Sequence, residues 1–185
     1  MAHVILGLLL IAPQSLYDLI KAFEAAVSLF YSASSGSIKR ALDTLRTRGL
    51  IEVASVEAGS RGRKVYRVTE SGHQEFHAWM TGEPTGPDLE VSALSRLYFL
   101  GLLEPDERAL VLRHITIRIE KSLAEFTDLD ERLEERHIPE EHHDIAVHQL
   151  ATLDYGIAAH RFMLDWFREH LDRTEGENPH EPPKH

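Results

Sequence analysis

Apolar positions change their spacing several times along the first half of the chain, and each change marks an element. Val4 to Ile11 is apolar nearly all round, the pattern of a short buried helix over residues 2–11. Ala12-Pro13-Gln14 breaks it, because proline cannot continue a helix. Ser15 then caps a second helix to about Ala26, with Leu16, Leu19, Ile20 and Phe23 inward. In the connection that follows, Leu29, Phe30 and Tyr31 are expected to pack on that helix. Tyr17 and Tyr31 are read as core residues in preference to phosphate or effector contacts.

From Ser34 to Thr69 the pattern is a helix, two strands and a basic loop. Ile38, Ala41, Leu42 and Leu45 hold the i, i+3, i+4, i+7 positions of one helical face. Gly36, Arg40, Asp43 and Thr47 lie opposite, flanked by Lys39 and Arg46 on one side and Ser37 and Thr44 on the other. Ser34 or Ser35 caps the start, and Gly49 ends the helix at its C′ position. Leu50 to Val56 and Val65 to Val68 are β-branched and apolar, as strands are. The turn between them carries Arg61, Arg63 and Lys64 with Gly59 and Gly62. A helix with small polar residues in its first turn can approach a DNA groove closely, and basic side chains on its outer face supply phosphate and base contacts. A basic hairpin directly after it completes a winged helix-turn-helix. On these grounds Ser35, Gly36, Ser37, Lys39, Arg40, Thr44, Arg61, Arg63 and Lys64 are the candidate DNA contacts.

The same residues resemble a known family. GSIKRALDTLRTRGLIE, then RGRKVYRVTESG, then Trp79-Met80, are similar to the PadR family of bacterial transcriptional regulators. Pro13 with LYDLIKAFE upstream and Leu97-Tyr98-Phe99-Leu100 downstream extend the likeness over nearly the whole chain. Lys39 departs from the pattern, which usually has an aromatic after the Ser-Ile pair, so contacts of that aromatic are not carried over. The resemblance implies a homodimeric repressor on a pseudo-palindromic operator. It also implies relief by a small aromatic effector, for which Trp79, Tyr98, Phe99, Phe162 and Trp166 are the candidate residues.

After the hairpin, Thr69 or Ser71 caps a helix through Trp79, and residues 81–87 (TGEPTGP) read as a linker. Asp88 starts a helix to about Leu103, and Pro105 opens a long one to about His137. In the long helix Leu112, Ile119, Phe126 and Leu133 recur every seventh residue, interleaved with Ile115, Ser122 and Leu129. The last helix, opened by Pro139, repeats the period with Leu150, Ile157, Leu164 and Leu171, and sets Ala146, Leu153, His160 and Phe167 between. Two such seams exceed what a small winged module covers, so Leu150, Leu153, Ile157, His160, Leu164 and Phe167 are expected at a homodimer interface. A histidine on that seam needs a hydrogen-bond partner.

Charge sharpens this division. Residues 1–80 hold 9 Lys and Arg against 7 Asp and Glu, net +2, whereas residues 81–185 hold 11 against 23, net −12. Exposed charges are screened beyond about 8–10 Å in physiological salt, so the local sign governs DNA approach. Cysteine is absent, which removes disulfides, thiolate metal sites and catalytic thiols. The histidines at 73 and 77, and at 137, 142, 143 and 148, are read as surface residues rather than metal ligands.

The expected fold is mostly α with a small β-hairpin: a winged helix-turn-helix over 1–80, a linker over 81–87, a coiled-coil-like helical dimerisation and effector region over 88–173, and a disordered tail over 174–185. The expected partners are double-stranded operator DNA, a second copy and a small aromatic effector. No membrane, cofactor, metal or catalysis is expected, and the location is cytoplasmic. A winged-helix adaptor that binds protein and not DNA is the alternative.

Overall fold

The computed structural model describes residues 1–57, 62–86, 88–134 and 138–176. In chain order the elements are α1 (Ala2–Ile11), β1 (Gln14–Ser15), α2 (Leu16–Ala25), α3 (Ser35–Thr47), β2 (Ile51–Glu57), β3 (Arg63–Val68), α4 (Glu70–Thr81), α5 (Leu89–Tyr98), α6 (Pro105–Glu134) and α7 (His143–Gly176). Short 3-10 turns at Val27–Leu29, Leu100–Leu102 and Glu140–His142 join some of them. The chain forms two compact units, which part between Val111 and Leu112, inside α6.

In the first unit α1 is the central element. Val4, Ile5, Leu6, Leu8 and Leu9 are all buried, which is why the helix carries almost no polar side chain. It packs against α2, α3, α4 and β3. Leu19 and Phe23 of α2, Ile38, Leu42 and Leu45 of α3, and Phe76 and Met80 of α4 complete the core. The expected hairpin is present, with Ile51 opposite Val68 and Val53 opposite Tyr66, and an irregularity between Val53 and Ser55. The sheet has a third strand that hydropathy did not reveal. Gln14 and Ser15 pair with Tyr66 and Val65, giving the order β1-β3-β2. Two residues are too few to show alternation, so only the pairing exposes them as a strand.

The junction between helix and hairpin is closed by backbone chemistry. The N–H of Gly49 donates to the Arg46 carbonyl and that of Leu50 to the Leu45 carbonyl, both at 3.0 Å. With Gly49 at φ 70° this is a Schellman ending, open to glycine because a side chain is strained there. At the far end of the hairpin the Thr69 N–H donates to the Leu50 carbonyl (3.1 Å) and its hydroxyl to the Gly49 carbonyl (2.7 Å). Thr69 then caps α4 by accepting from the Gly72 N–H. A Cβ on Gly72 would lie 2.0 Å from the Leu50 oxygen, so this close approach admits no side chain.

Residues 88–103 continue the same unit. Phe99, 1% exposed, meets Phe76 edge-on at 5.8 Å between centroids. It also fills the space in which a Cβ on Gly7 would sit. Residues 81–86 therefore lie between α4 and α5 within one compact unit, with Pro84 buried. Two expected packings are absent. Tyr17 is 63% exposed with the Lys21 ammonium 5.9 Å from its ring centre, and Leu29 is exposed as well. The exposure of Leu29 follows from the short turn that holds Val27, rather than its neighbours, in the core. Tyr31 does pack, edge-on to Phe23.

In the second unit α6 and α7 run antiparallel. Arg113 pairs with Glu175 (Nε to carboxylate, 2.9 Å), Arg168 with Glu120 (2.7 Å), and the Phe126 and His160 rings meet at 4.8 Å. Ile115 and Ile119 on α6 and Ile157, Leu164 and Phe167 on α7 are buried. His160 has the partner its half-buried ring requires, with Nδ1 2.8 Å from the Gly156 carbonyl. Helix α7 carries 174–176, and the rest of the tail lies outside the described residues.

The Leu50–Gly72 approach gives a direct test. Gly72→Ala is expected to cost about 3 kcal/mol through overpacking against a backbone that cannot retreat. Gly101→Ala, where a Cβ meets open space, is expected to leave the denaturation midpoint unchanged. Chemical denaturation of both variants measures the contrast.

Candidate nucleic-acid interface

Helix α3 presents the candidate surface. Ser34 caps it, its hydroxyl oxygen accepting from the Ser37 N–H at 3.2 Å. The Ser37 hydroxyl turns back to donate to the Ser34 carbonyl at 2.7 Å, so it is engaged in the cap. Ser35 and Gly36 stand exposed in the first turn, and Lys39, Arg40, Thr44 and Arg46 are exposed further along. The Thr44 hydroxyl donates to the Arg40 carbonyl at 2.9 Å, leaving its oxygen lone pairs facing outward.

Ion pairing divides the exposed cations into two sets. Arg48 pairs with Glu75 (3.3 Å) and Arg67 with Glu52 across the β2–β3 ladder (2.7 Å). Among the described residues Lys39, Arg40 and Arg46 on α3, and Lys64 on β3, make no ion pair. Among the described residues of the stretch 1–80, those four are the cations not already committed to carboxylates.

Arg63, expected at the wing tip, does stand at the tip end of the hairpin, opposite Glu57, but its side chain is turned back onto α2. Its Nη2 donates to Asp18 (2.6 Å) and its Nε to the Ser15 hydroxyl (3.0 Å). Asp18 in turn accepts from the Ser15 N–H (3.0 Å) and hydroxyl (2.8 Å), while its own N–H donates to the Ser15 oxygen. This is a capping box at the start of α2 with a strand arginine clipped onto it. The Ser15 backbone and hydroxyl, and then Arg63, hold the Asp18 carboxyl below the usual carboxylate range. The Ser-x-x-Asp spacing was visible in the sequence, but a partner 45 residues away was not. Arg61 lies outside the described residues.

The aromatic candidates do not share a compact unit. Trp79, Tyr98 and Phe99 belong to the first, Phe162 and Trp166 to the second. Phe99 is core; Tyr98 is partly exposed beside Phe30 (5.5 Å); Trp79 stacks on His3 at 4.8 Å and 6°. Phe162 is 72% exposed and Trp166 stacks on His170. Of the six seam residues, Ile157, Leu164 and Phe167 are buried within the single chain, and Leu150, Leu153 and His160 are half-buried. The large apolar side chains exposed on α7 are Ile145, Val147, Tyr155, Phe162 and Trp166. No group of three or more metal-ligating side chains occurs among the described residues.

A capped helix with an exposed basic face, followed by a closed hairpin on a three-helix core, defines a winged helix-turn-helix protein. Residues 5–78 match the transcriptional regulator PadR-like family, and residues 92–175 match the virulence activator alpha C-terminal family. Residues 5–78 are therefore a domain of the PadR-like family of transcriptional regulators. The chain is 28% identical to the negative transcriptional regulator PadR of Bacillus subtilis over 129 residues, 69% of each chain. It is 27% identical to the probable transcriptional regulator Rv1176c of Mycobacterium tuberculosis over 179 residues, 90% of this chain and 93% of that one. Among solved structures, B. subtilis PadR in complex with operator DNA is 22% identical with a TM-score of 0.44, covering 94% of this chain and 98% of that one. The same protein in complex with p-coumaric acid has a TM-score of 0.41 at 22% identity, covering 94% of each chain. The Vibrio cholerae virulence activator AphA has a TM-score of 0.40 at 18% identity, covering 96% and 99%.

The Arg63 clip predicts a pH dependence. Because folding lowers the Asp18 pKa from 3.8, its stabilisation is complete above that value and is lost as pH falls below it. Asp18→Asn is therefore expected to lower the melting temperature at pH 7, with the gap to the parent closing below about pH 4. Thermal melts across pH measure the gap; a constant difference would exclude the ionised clip.

Proposed function

We propose that this regulator is a homodimeric repressor that sets α3 of each copy into the major groove of a pseudo-palindromic operator in the cytoplasm. The observation that carries the reading is the exposed face of α3, whose cations Lys39, Arg40 and Arg46 have no carboxylate partner in the described fold. Exposed cations left unpaired in a chain of net charge −10 are available to displace counterions from phosphate. Ser35 and Gly36 allow the first turn to come close, and Ser37 and Thr44 flank it with hydroxyl oxygens. Lys64 supports the wing on the DNA backbone, Arg61 is a further candidate contact from the sequence, and Arg63 acts by holding β3 to α2. The repressor assignment draws on the likeness to the B. subtilis negative regulator. No helix among the described residues is long and apolar enough to cross a membrane.

The second copy docks on α7. Tyr155 and Phe162, 75% and 72% exposed, stand seven residues apart and form an apolar stripe that water covers in the single chain. The half-buried seam residues Leu150, Leu153 and His160 extend that contact, and Ile157, Leu164 and Phe167 support it from within. A small aromatic ligand relieves repression by preferring one arrangement of the DNA-binding heads.

Two measurements test this. Titrating the fragment upstream of the chain's own gene at several salt concentrations is expected to give a steep log–log slope. Lys39→Ala, Arg40→Ala and Lys64→Ala each remove two cations from the dimer and are each expected to reduce its magnitude by about 1.8. Arg67→Ala, which removes a cation already paired with Glu52, is expected to leave the slope unchanged. A chain that fails to retard that fragment at low salt is an adaptor and not a repressor. For the dimer, sedimentation is expected to give twice 21.0 kDa. Joint replacement Tyr155→Glu and Phe162→Glu is expected to give a folded monomer, whereas Ile157→Glu is expected to unfold the chain.

A further inference from the structure

Asp43 is the one acidic residue of α3. The buried face of that helix is Ile38, Leu42 and Leu45. Gly36, Arg40, Asp43 and Thr47 recur at i, i+4, i+7 and i+11, which sets them along the opposite side, and all four are exposed. Lys39 and Arg46 flank that stripe. Lys39, Arg40 and Arg46 each lie three or four residues from Asp43, where side chains on a helix are neighbours. None of them takes its carboxylate, and among the described residues no ion pair or side-chain hydrogen bond reaches it. The Thr47 hydroxyl turns back instead to the Asp43 backbone carbonyl, at 3.0 Å.

The chemistry of a carboxylate narrows what it can do on such a face. Lys39, Arg40 and Arg46 are donors, and both phosphates and base edges accept, so chemistry alone leaves their partners open. An ionised aspartate accepts only, and phosphate repels it. The donors in the major groove are the amino groups at cytosine N4 and adenine N6. Adenine sets an acceptor, N7, beside its amino group, so cytosine is the base that matches a carboxylate. The side chain is short, and its surroundings permit a close approach. Gly36 has no side chain, and the Thr47 hydroxyl is folded onto the helix. A Cβ on Gly36 would lie 3.7 Å from Arg40 Nη1, so the arginine runs back along the first turn and away from Asp43.

We propose that Asp43 is a specificity-determining residue: it accepts from the N4 amino group of one cytosine in each half-site and repels duplexes that offer no donor there. This rests on the DNA-reading role of α3 proposed above. The flanking cations then attract any duplex, and Asp43 withdraws part of that attraction from the wrong ones.

The test uses the full chain and its Asp43→Ala variant, which keeps the fold because alanine is the better helix former at an exposed position. Each protein selects from a library of random duplexes. Anisotropy then measures binding to the parent's consensus, to that consensus with each base pair in turn at every position, and to unselected duplex. The parent is expected to prefer cytosine at one symmetric pair of positions, by roughly tenfold per half-site. Asp43→Ala is expected to lose that preference and no other, and to bind unselected duplex more tightly. A variant that selects the parent's consensus unchanged, or that changes affinity equally for all four base pairs, overturns the assignment; the carboxylate then only tempers its neighbours' charge. Loss of a preference for any base other than cytosine overturns the cytosine contact. A parent that selects no consensus overturns the DNA-reading role of α3 as well, which separates the two failures.

Discussion

The carbonyl of Leu50 is the point through which the DNA-reading half of the molecule is held together. It lies just past the Schellman ending of α3, accepts the Thr69 N–H that closes the hairpin, and rests against the bare Cα of Gly72. Helix, hairpin and α4 therefore leave from one rigid junction. A recognition helix works only if its angle to the wing is held, because a misplacement of an ångström separates side chains from phosphates. Backbone hydrogen bonds and a glycine contact achieve this without long side chains, whose rotamer entropy would soften the joint.

The second constraint is where carboxylates are spent. The N-terminal half carries almost balanced charge, yet its surface is not neutral everywhere. Glu52, Glu75 and Asp18 are directed at Arg67, Arg48 and Arg63, which brace the sheet, the α3–α4 contact and the contact of β3 with α2. Lys39, Arg40, Arg46 and Lys64 are left without such partners among the described residues. Exposed pairs of this kind contribute little stability each, roughly 0–1 kcal/mol. Their larger effect is on distribution, since each one removes a cation from the field that DNA meets. A modest net charge is thereby concentrated on one helix face.

Arg96 inverts that logic. It is buried where a leucine would pack, and its charge is answered by carbonyls and an indole rather than by a carboxylate. Leaving a buried cation without a counter-ion is costly, and the Ser92 and Trp79 oxygens offset part of that cost. In the C-terminal unit, by contrast, apolar spacing and intrachain ion pairs account for most of what is seen. Half of the heptad seam on α7 is consumed in packing within the chain, and the most exposed apolar side chains, Tyr155 and Phe162, lie outside it.

Hydropathy and capping signals by themselves determined the helices, the hairpin, the helix-ending glycine and the α3 residues that face water. These are local properties, decided by side-chain period and by orphan backbone groups within a few residues. The two-residue β1 strand was not legible, because its evidence is a pairing partner about 50 residues away. The roles of the basic residues were only half legible for the same reason. Arg63 and Lys64 are adjacent and chemically alike, and only the position of Asp18 makes one a brace and leaves the other unpaired. The six-residue seam on α7 read as an interface, but half of it is interior, since a seven-residue period does not say whether its partner is the same chain or another. Burial of Arg96 was equally invisible, for it depends on α4, α5 and the segment between them meeting in space. Tertiary structure decided each of these, because pairing and burial depend on distance in space and the sequence records only distance along the chain.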